Sequence, residues 1–443
     1  MKTYFIHTFG CQMNVHESEI IAGILKSKGY TEGKDANSSD VVVFNTCTIR
    51  ESADKKIESH IGNMKASKAK NKNQIVIVCG CMTEIKDNAE RLHKKFPFVD
   101  IILGTQNLAD FESLFDEFIK NKNKIVSKNN GITKLSKTPP CYRTSGVNAW
   151  VNISYGCNNF CTYCIVPYAR GREVSIPMNQ IIDEVKFCLE SGYKQITLLG
   201  QNVNSYGNDI GDKNVTFANL LRELDKLPYK YRLRFMTSHP KDISDEVIEV
   251  ISKSKNICHG IHLPVQSGST KILKEMNRKY TREHYLERIH KIKELIPDAE
   301  LTTDIIVGFP DETEEDFNET LSLVKEVRYQ QIFGFIYSRR KGTVADKMEN
   351  QIPLQIKKER LAKLINLERE IASEISASYI GKTVEVLIEG KQVKNGKTYF
   401  VGSTDGNKNI NILVKDNELD LTGSFVSVRV TSSKLTVLFG KII

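Results

Sequence analysis

The chain has 443 residues, of which 40% are hydrophobic and 26% are charged, and its net charge is +9. This balance fits an ordinary globular protein of roughly two to four domains, and the modest basic excess permits a polyanionic partner without requiring one. The opening residues run directly into a strand pattern and no apolar run approaches membrane-spanning length. These features predict neither a secretion signal nor a transmembrane segment, and they favour a cytoplasmic protein in which cysteines are metal ligands or bystanders rather than disulfides.

Residues 1–120 are predicted to form a small α/β domain with a parallel sheet. Strands are expected at Lys2–Phe9, Asp40–Asn45 and Gln74–Val78, with helices at Ser18–Lys28 and Glu51–Lys65 between them. Strands that alternate with helices pair in parallel, so their carboxyl ends share one edge of the sheet.

A cysteine follows each of these strands: Cys11, Cys47 and Cys81, the N-terminal cysteine triplet. Any one of them could be a small apolar residue beside a buried strand. Three at equivalent strand ends instead predict an iron–sulfur cluster with three protein ligands and one open iron. Cys79 competes with Cys81, and we favour Cys81 because Gly80 lets the backbone leave the strand.

Residues 121–142 are predicted to be a basic linker, which contains several lysines, no acidic residue, and Asn, Gly, Ser and Pro throughout. A solvated connector and an RNA contact both fit this composition. Cys141, which lies in the linker, is not expected to bind a metal.

Residues 143–373 are predicted to form the central domain, an open partial barrel of six β/α units. Six units are too few for the closed eight-fold barrel, and in both folds the site lies at the carboxyl ends of the strands. A long helix is expected at Pro353–Ser378. The six predicted strands are Ala149–Ile153, Gln195–Leu199, Arg232–Thr237, Gly260–Val265, Leu301–Val307 and Ile332–Tyr337.

Cys157, Cys161 and Cys164, the central cysteine triplet, follow the first of these strands with C-x3-C-x2-C spacing. A structural zinc site prefers four protein ligands from paired C-x2-C units, and the next cysteine, Cys188, lies in a helical pattern. The spacing therefore favours a four-iron cluster, in which three cysteines leave one iron open for chemistry.

Polar and glycine-rich strand ends mark the predicted cofactor pocket, although each could also be ordinary turn chemistry. After the last strand, three consecutive cations suit an RNA phosphate backbone, with a solvated charge run as the alternative. The candidate cofactor residues are Gly200, Gln201, Asn202, Ser238, Gln266, Gly308 and Phe309, and the candidate RNA residues are Arg339, Arg340 and Lys341.

Residues 376–443 are predicted to form a small β-barrel that binds RNA, because five short alternating strands are separated by turn signals. Tyr399, Phe400 and Phe425 are candidates for stacking on bases, or else they fill the barrel core.

Four motifs together resemble those of the radical-SAM (S-adenosylmethionine) methylthiotransferases, in the branch that modifies tRNA adenosines. The resemblance covers essentially the whole chain and implies an N-terminal methylthiotransferase domain, a radical-SAM core in which Tyr163 lies against the cofactor, and a C-terminal TRAM barrel. One departure is Glu173-Val-Ser-Ile176, where many relatives carry a further arginine. The motifs are Thr8-Phe-Gly-Cys11-Gln-Met-Asn14, Asn45-Thr-Cys47-Thr-Ile-Arg-Glu51, Gly80-Cys81-Met82 and Gly156-Cys157-Asn-Asn-Phe-Cys161-Thr-Tyr-Cys164-Ile-Val-Pro-Tyr-Ala-Arg-Gly-Arg172.

The resemblance implies two 4Fe–4S clusters and two SAM molecules per turnover. One cluster and SAM would generate a radical that removes hydrogen from carbon 2 of N6-isopentenyladenosine beside the tRNA anticodon, and the other cluster would deliver methylated sulfur. The implied partners are the tRNA anticodon loop, an electron donor such as flavodoxin or ferredoxin, and a sulfur source, and the implied protein is a monomer. Alternatives are the same chemistry on threonylcarbamoyladenosine in tRNA or on a ribosomal-protein aspartate, and a non-catalytic iron–sulfur sensor that binds RNA.

Overall fold

The computed structural model describes residues 1–48, 51–85, 87–127, 141–143, 146–414 and 419–443. Most of the predicted basic linker, residues 128–140, lies outside the described residues. Within the described ranges, no helix combines the length and apolar character needed to cross a membrane.

A parallel sheet with helices on both faces forms the N-terminal domain. Its strands are β1 Thr3–Thr8, β2 Thr31–Glu32, β3 Val41–Thr46, β4 Ile75–Gly80, β5 Ile101–Ile102 and β6 Ile125–Val126. Its helices are α1 Gln12–Ser27, α2 Glu51–Lys70, α3 Cys81–Glu84, α4 Asn88–Lys95 and α5 Phe111–Asn121. The strand order is β2-β1-β3-β4-β5-β6. Because β3 and β4 are buried along their whole length, alternate side chains pack against α1 and α5 on one face and against α2 and α4 on the other.

The predicted parallel α/β domain is confirmed, with two differences at the strand ends. Helix α1 begins at Gln12 rather than at the predicted Ser18, so Cys11 directly precedes it. Strand β4 continues to Gly80, and α3 then begins at Cys81.

The central domain consists of two three-stranded parallel sheets and one short antiparallel pair of strands, with helices between them. Its strands are β7 Asn148–Asn152, β8 Ser154–Tyr155, β9 Val174–Ser175, β10 Gln195–Leu199, β11 Arg232–Phe235, β12 Gly260–His262, β13 Glu300–Val307 and β14 Gln331–Ile336. Its helices are α6 Val166–Arg170, α7 Met178–Glu190, α8 Phe217–Asp225, α9 Asp245–Lys253, α10 Thr270–Glu275, α11 Arg282–Leu295, α12 Glu314–Val327 and α13 Leu354–Ala377.

Six of these strands form the predicted partial barrel. Strands β7, β10 and β11 pair in parallel, as do β12, β13 and β14. A parallel bridge between Leu233 and Ile257 joins the two halves in chain order. The carboxyl ends of the strands therefore share one rim, as the sequence predicted.

A closed five-stranded barrel forms the C-terminal domain, in the order β15-β16-β17-β19-β18. Its strands are β15 Thr383–Lys394, β16 Lys397–Thr404, β17 Asn409–Leu413, β18 Phe425–Lys434 and β19 Val437–Ile442. The stacking role suggested for Phe400 is wrong, because this ring is fully buried in the barrel core. Phe425 lies against the cations of Lys230 and Arg232, at the junction with the central domain.

The barrel docks on the amino ends of the central strands. Arg232, the first residue of β11, donates to the carbonyl of Ser403 at 2.6 Å, and Arg234 donates to the carbonyl of Thr404 at 2.7 Å. The barrel therefore lies at the opposite end of the central strands from the rim that carries the central cysteine triplet.

Candidate functional site

All six motif cysteines line a single cavity of about 330 Å³ between the N-terminal and central domains. The N-terminal domain contributes its cysteine triplet together with Gln12, Met13 and Thr48. The central domain contributes the other cysteine triplet and the carboxyl ends of its strands. Two cysteine triplets that lie far apart in the sequence therefore face the same space.

The N-terminal triplet converges because β1, β3 and β4 are neighbours in the sheet. Cys11, Cys47 and Cys81 each follow one of these strands directly or by a short turn. Glycine allows the close approach: a Cβ atom on Gly10 would lie 2.8 Å from the sulfur of Cys47, and one on Gly80 would lie 2.3 Å from the carbonyl of Thr46. Both glycines have positive φ angles, 109° and 100°, which side chains rarely tolerate.

Cys79 and Cys81 occupy different environments although they are two residues apart. Cys79 is still in β4 and packs in the apolar layer beneath α1 and α5. Cys81 lies past the turn at Gly80 and lines the cavity, where the Arg170 Nε atom donates to its sulfur at 3.1 Å. This placement supports Cys81 as the third member of the triplet.

The central triplet lies in the loop between β8 and β9, which pair with each other and close the loop at its base. Within the loop, the Cys157 N–H donates to the carbonyl of Gly171 at 3.1 Å, and the Cys164 N–H donates to the carbonyl of Cys161 at 3.0 Å. These bonds fold the chain back on itself, so that all three sulfurs can face one point.

Each donor set consists of three cysteines, one fewer than the four protein ligands that a structural zinc site prefers. Three thiolates suit a four-iron cluster, in which one iron stays open. Burial raises the pKa of Cys157 to about 11 and of Cys164 to about 12. Such thiols are poor free nucleophiles, whereas metal coordination removes their protons outright.

Among the described residues, the donor atoms of His16, Glu19 and Cys141 lie within 4.8 Å of one another. Arg143 occupies the same pocket, with its Nε atom 4.0 Å from Glu19 and a close ion pair to Glu184. A guanidinium already balances these carboxylates, so we interpret this group as an ion-pair network that joins α1 to the central domain.

In each triplet, one sulfur is in contact with a buried arginine. Arg170 contacts Cys81 as described above, and the Arg278 Nη1 atom donates to Cys161 at 3.4 Å. Burial opposes the charge on Arg278, but neighbouring Tyr280, Tyr163 and Cys161 hold its pKa above the usual value. Its other partners are the hydroxyl of Tyr280 and the carbonyl of Pro264. In the described part of the chain it has no carboxylate partner, so an anion in the cavity would be strongly favoured.

Five of the predicted cofactor residues line the cavity: Tyr163, Gly200, Gln201, Ser238 and Gln266. The Oε1 atom of Gln201 and the Oγ atom of Ser238 are buried and lack a hydrogen-bond partner within the described chain. Buried polar atoms rarely remain unpaired, so these atoms fit a polar ligand such as SAM.

The other three predicted cofactor residues do not line the cavity. Asn202 donates to Asp242 at 2.7 Å. The N–H of Gly308 donates to Glu312 at 2.7 Å, and Phe309 is fully buried among Ile272, Met276 and Tyr337. The end of β13 therefore packs under α13 and α10 rather than opening into the cavity.

His239 is a further polar residue of the cavity. The N–H of Lys241 donates to its Nδ1 atom at 3.2 Å, so the ring hydrogen must lie on Nε2, which has no partner among the described residues. Burial, with Arg278 and Lys241 nearby, holds the pKa of His239 far below its usual value. His239 is therefore a neutral hydrogen-bond donor to whatever occupies the cavity.

The three predicted RNA cations differ in position. Arg339 is exposed and pairs with Asp346, and Lys341 is exposed. Arg340 is instead directed inward, where it forms an ion pair with Asp54 of α2 at 3.0 Å and donates to the carbonyl of Thr48, next to Cys47. Its guanidinium is engaged between domains, which removes it as an RNA contact in this arrangement.

Sequence reasoning missed the two buried arginines. Arg170 lies in the quoted motif after Cys164, but no local spacing indicates that it reaches another domain. Arg278 lies more than 100 residues from the cysteine that it contacts, and its neighbours in the sequence carry no recognisable signal.

Three family models match the chain. The first, described as Uncharacterized protein family UPF0004, matches residues 3–104. The Radical SAM superfamily matches residues 151–324, and the TRAM domain matches residues 377–443. In chain order they match most of the N-terminal domain, the larger part of the central domain and the C-terminal barrel.

Similar proteins include the tRNA-2-methylthio-N(6)-dimethylallyladenosine synthase of Acetivibrio thermocellus, which is 47% identical over 100% of this chain and 91% of its own length. The synthase of the same name from Clostridium botulinum strain Langeland is 48% identical over 99% of this chain and 96% of its own length. Among solved structures, the radical S-adenosylmethionine methyltransferase TsrM from Kitasatospora setae is similar with a TM-score of 0.59 and 13% identity, over 78% of this chain and 74% of that one. At this low identity the likeness to TsrM indicates the fold alone.

Proposed function

This chain belongs to the tRNA-2-methylthio-N(6)-dimethylallyladenosine synthases, and we propose that it performs their reaction with two clusters that share one cavity. The reaction adds a methylthio group to carbon 2 of N6-isopentenyladenosine in tRNA. Family membership selects this substrate over threonylcarbamoyladenosine and the ribosomal-protein aspartate. The enzyme uses SAM and iron–sulfur chemistry, and the assignment of a second cluster to the N-terminal triplet is the proposal.

The observation that carries the proposal is the shared cavity, because sulfur insertion requires the sulfur source to meet the activated carbon. When bound, the clusters and SAM supply the radical chemistry and the sulfur that an aryl carbon needs, since it has no acidic proton for acid–base catalysis. The central triplet would hold the cluster that binds SAM, and the N-terminal triplet would hold the cluster that carries sulfur.

The protein's own residues would bind and orient these groups. Arg278 offers a buried positive charge to an anionic cluster or to the SAM carboxylate. Gln201, Ser238 and His239 offer unpaired polar atoms to the remaining polar groups of the ligands. Because the cavity lies between two domains, ligands that fill it would displace water from the reacting groups.

The remaining partners follow from the chemistry. A one-electron donor such as flavodoxin or ferredoxin would reduce the central cluster, and a separate sulfur source would reload the N-terminal cluster. We expect the reaction to take place in the cytoplasm, where its tRNA substrate is found.

Nucleoside mass spectrometry tests the proposed function. A strain that lacks the gene should lose the methylthio-isopentenyl nucleoside and accumulate isopentenyladenosine, and the wild-type gene should restore the product while a Cys157→Ala gene should not. Persistence of the product in the deletion strain would contradict the proposal. Loss of a threonylcarbamoyl-derived nucleoside instead would support the alternative substrate.

The C-terminal barrel is proposed to bind the tRNA away from the modified base. Arg429 and Lys441 are exposed and lie directly opposite each other on β18 and β19. Like charges in this position are destabilising, and an RNA phosphate between them would relieve the repulsion. Because the barrel docks on the amino ends of the central strands, a bound tRNA would extend over the outside of the central domain to the cavity.

We expect the double substitution Arg429→Gln and Lys441→Gln to weaken tRNA binding. It should also reduce the slope of log K against log salt by about 1 for each phosphate that the protein no longer neutralises. Filter binding at several salt concentrations measures both quantities. The matched control is Lys226→Gln with Lys253→Gln, which removes the same charge from helical surfaces of the central domain. Equal affinity and slope in the Arg429 and Lys441 variant would exclude this face as the RNA contact.

A further inference from the structure

Arg170 belongs to the central domain by sequence but makes its contacts in the N-terminal domain. It is the last residue of α6, six residues after Cys164, and only 5% of it is exposed. Its Nη1 atom donates to Glu17 at 2.7 Å, its Nη2 atom to Asn14 at 2.7 Å, and its Nε atom to Cys81 at 3.1 Å. All three partners lie in the N-terminal domain.

Asn14 extends this contact to the other two cysteine loops. Its Nδ2 atom donates to the carbonyl of Phe9 at 2.8 Å and to the carbonyl of Thr46 at 2.9 Å, residues that shortly precede Cys11 and Cys47. Its Oδ1 atom, which accepts from Arg170, lies 3.8 Å from the sulfur of Cys11. The guanidinium and this amide therefore connect the loops of all three cysteines.

The ion pair between Arg170 and Glu17 forms only when the two domains are docked, and its loss would be costly. Glu17 is 2% exposed and Asn14 is fully buried, so without Arg170 a buried carboxylate would lose its only cationic partner among the described residues. Removing one partner of a buried ion pair is strongly destabilising, because the charge that remains has neither water nor a counter-ion. The charges of Arg170 and Glu17 cancel, which leaves the Nε–H group as a hydrogen-bond donor to the Cys81 sulfur.

We propose that Arg170 is a positioning residue that the central domain supplies to the N-terminal triplet, where it holds the three cysteine loops together and donates a hydrogen bond to the Cys81 sulfur. Hydrogen bonds to ligating sulfurs tune the reduction potentials of iron–sulfur clusters. The N-terminal site is thus complete only when the two domains are docked. This inference rests on the proposed function in one respect, that the N-terminal triplet holds a cluster.

The test uses the full chain with Cys157, Cys161 and Cys164 replaced by alanine, so that only the N-terminal triplet can hold iron. After anaerobic reconstitution this background should contain about four iron atoms per chain. Adding Arg170→Gln should remove most of that iron. Because this change leaves Glu17 unpaired and could unfold the site, a second variant combines it with Glu17→Gln, and we expect it also to bind less iron.

Arg170→Lys separates the hydrogen bond from the charge, because lysine can pair with Glu17 but cannot present the planar guanidinium to both partners. We expect this variant to keep its iron and to shift the one-electron reduction equilibrium about tenfold toward the oxidised form, which is about 59 mV. A redox titration followed by electron paramagnetic resonance measures the shift, and a purely structural role would not produce it.

Arg172→Gln, an exposed change in the same loop, is the matched control and should alter neither iron content nor potential. Full iron content in the Arg170→Gln, Glu17→Gln double variant, together with an unchanged potential in Arg170→Lys, would overturn the inference. If the background protein itself binds no iron, the cluster assignment of the proposed function fails instead, and this inference fails with it.

Discussion

Replacing Cys157, Cys161 or Cys164 with alanine is expected to reduce SAM cleavage to the background level. Three thiol ligands are the minimum that holds a four-iron cluster with one open iron, and losing one leaves a second iron without a protein ligand. Cys161 is 9% exposed and touches Arg278, so its loss would also leave this buried cation without its sulfur partner.

The measurement is 5′-deoxyadenosine formed during anaerobic incubation of the reconstituted protein with SAM and a chemical reductant. Cys188→Ala is the matched control, because Cys188 is fully buried in α7 but does not line the cavity. We expect the control to retain cleavage. Substantial cleavage by Cys161→Ala would refute the assignment of the central triplet, and absence of cleavage in the wild type would favour a non-catalytic RNA-binding sensor.

The sequence was sufficient to predict features that depend on local pattern and on sheet topology. The spacing of Cys157, Cys161 and Cys164 is local, so the site that they form could be predicted without a structure. The N-terminal triplet required one more step, because Cys11, Cys47 and Cys81 meet only if the strands before them are parallel neighbours. The structure confirms that strand arrangement.

The positions of the strand ends in the sequence predict the correct rim but not the direction of each side chain. Gly200, Gln201 and Ser238 follow strands whose ends open into the cavity. Gly308 and Phe309 follow β13, whose end is covered by α13, and a Cβ atom on Gly308 would lie 2.3 Å from the Lys357 side chain. The packing of a distant helix decided this difference, and nothing in the residues near position 308 indicates it.

Contacts between domains also could not be predicted from the sequence patterns. A run of three cations after β14 suggested RNA binding, yet Arg340 pairs with Asp54, which lies 286 residues away in the chain. Arg170 and Arg340 both reach from the central domain to cysteine loops of the N-terminal domain. Their roles depend on how the sheets of two domains dock, which neither periodicity nor motif spacing encodes.

Cys81→Ala and Cys79→Ala are expected to give opposite results although they are the same substitution two residues apart. Cys81 lines the cavity beside Arg170, whereas Cys79 is 3% exposed and packs in the apolar layer of the N-terminal sheet. Loss of Cys81 should abolish formation of the methylthio nucleoside while some SAM cleavage remains, because the central triplet is intact. Loss of Cys79 removes only a sulfur atom from an apolar core, so we expect a small loss of stability, about 1 kcal/mol, and nearly normal product formation.

The product nucleoside and 5′-deoxyadenosine are measured in the same reaction by liquid chromatography and mass spectrometry, and iron content is measured on the same protein. The wild type should contain two clusters, Cys79→Ala should also contain two, and Cys81→Ala should contain one. The ratio of product to 5′-deoxyadenosine then separates sulfur insertion from radical generation, because only Cys81→Ala should lower it to near zero. If Cys79→Ala lost the product and one cluster while Cys81→Ala kept both, Cys79 would be the ligand. The turn at Gly80 would then place a non-ligating thiol in the cavity.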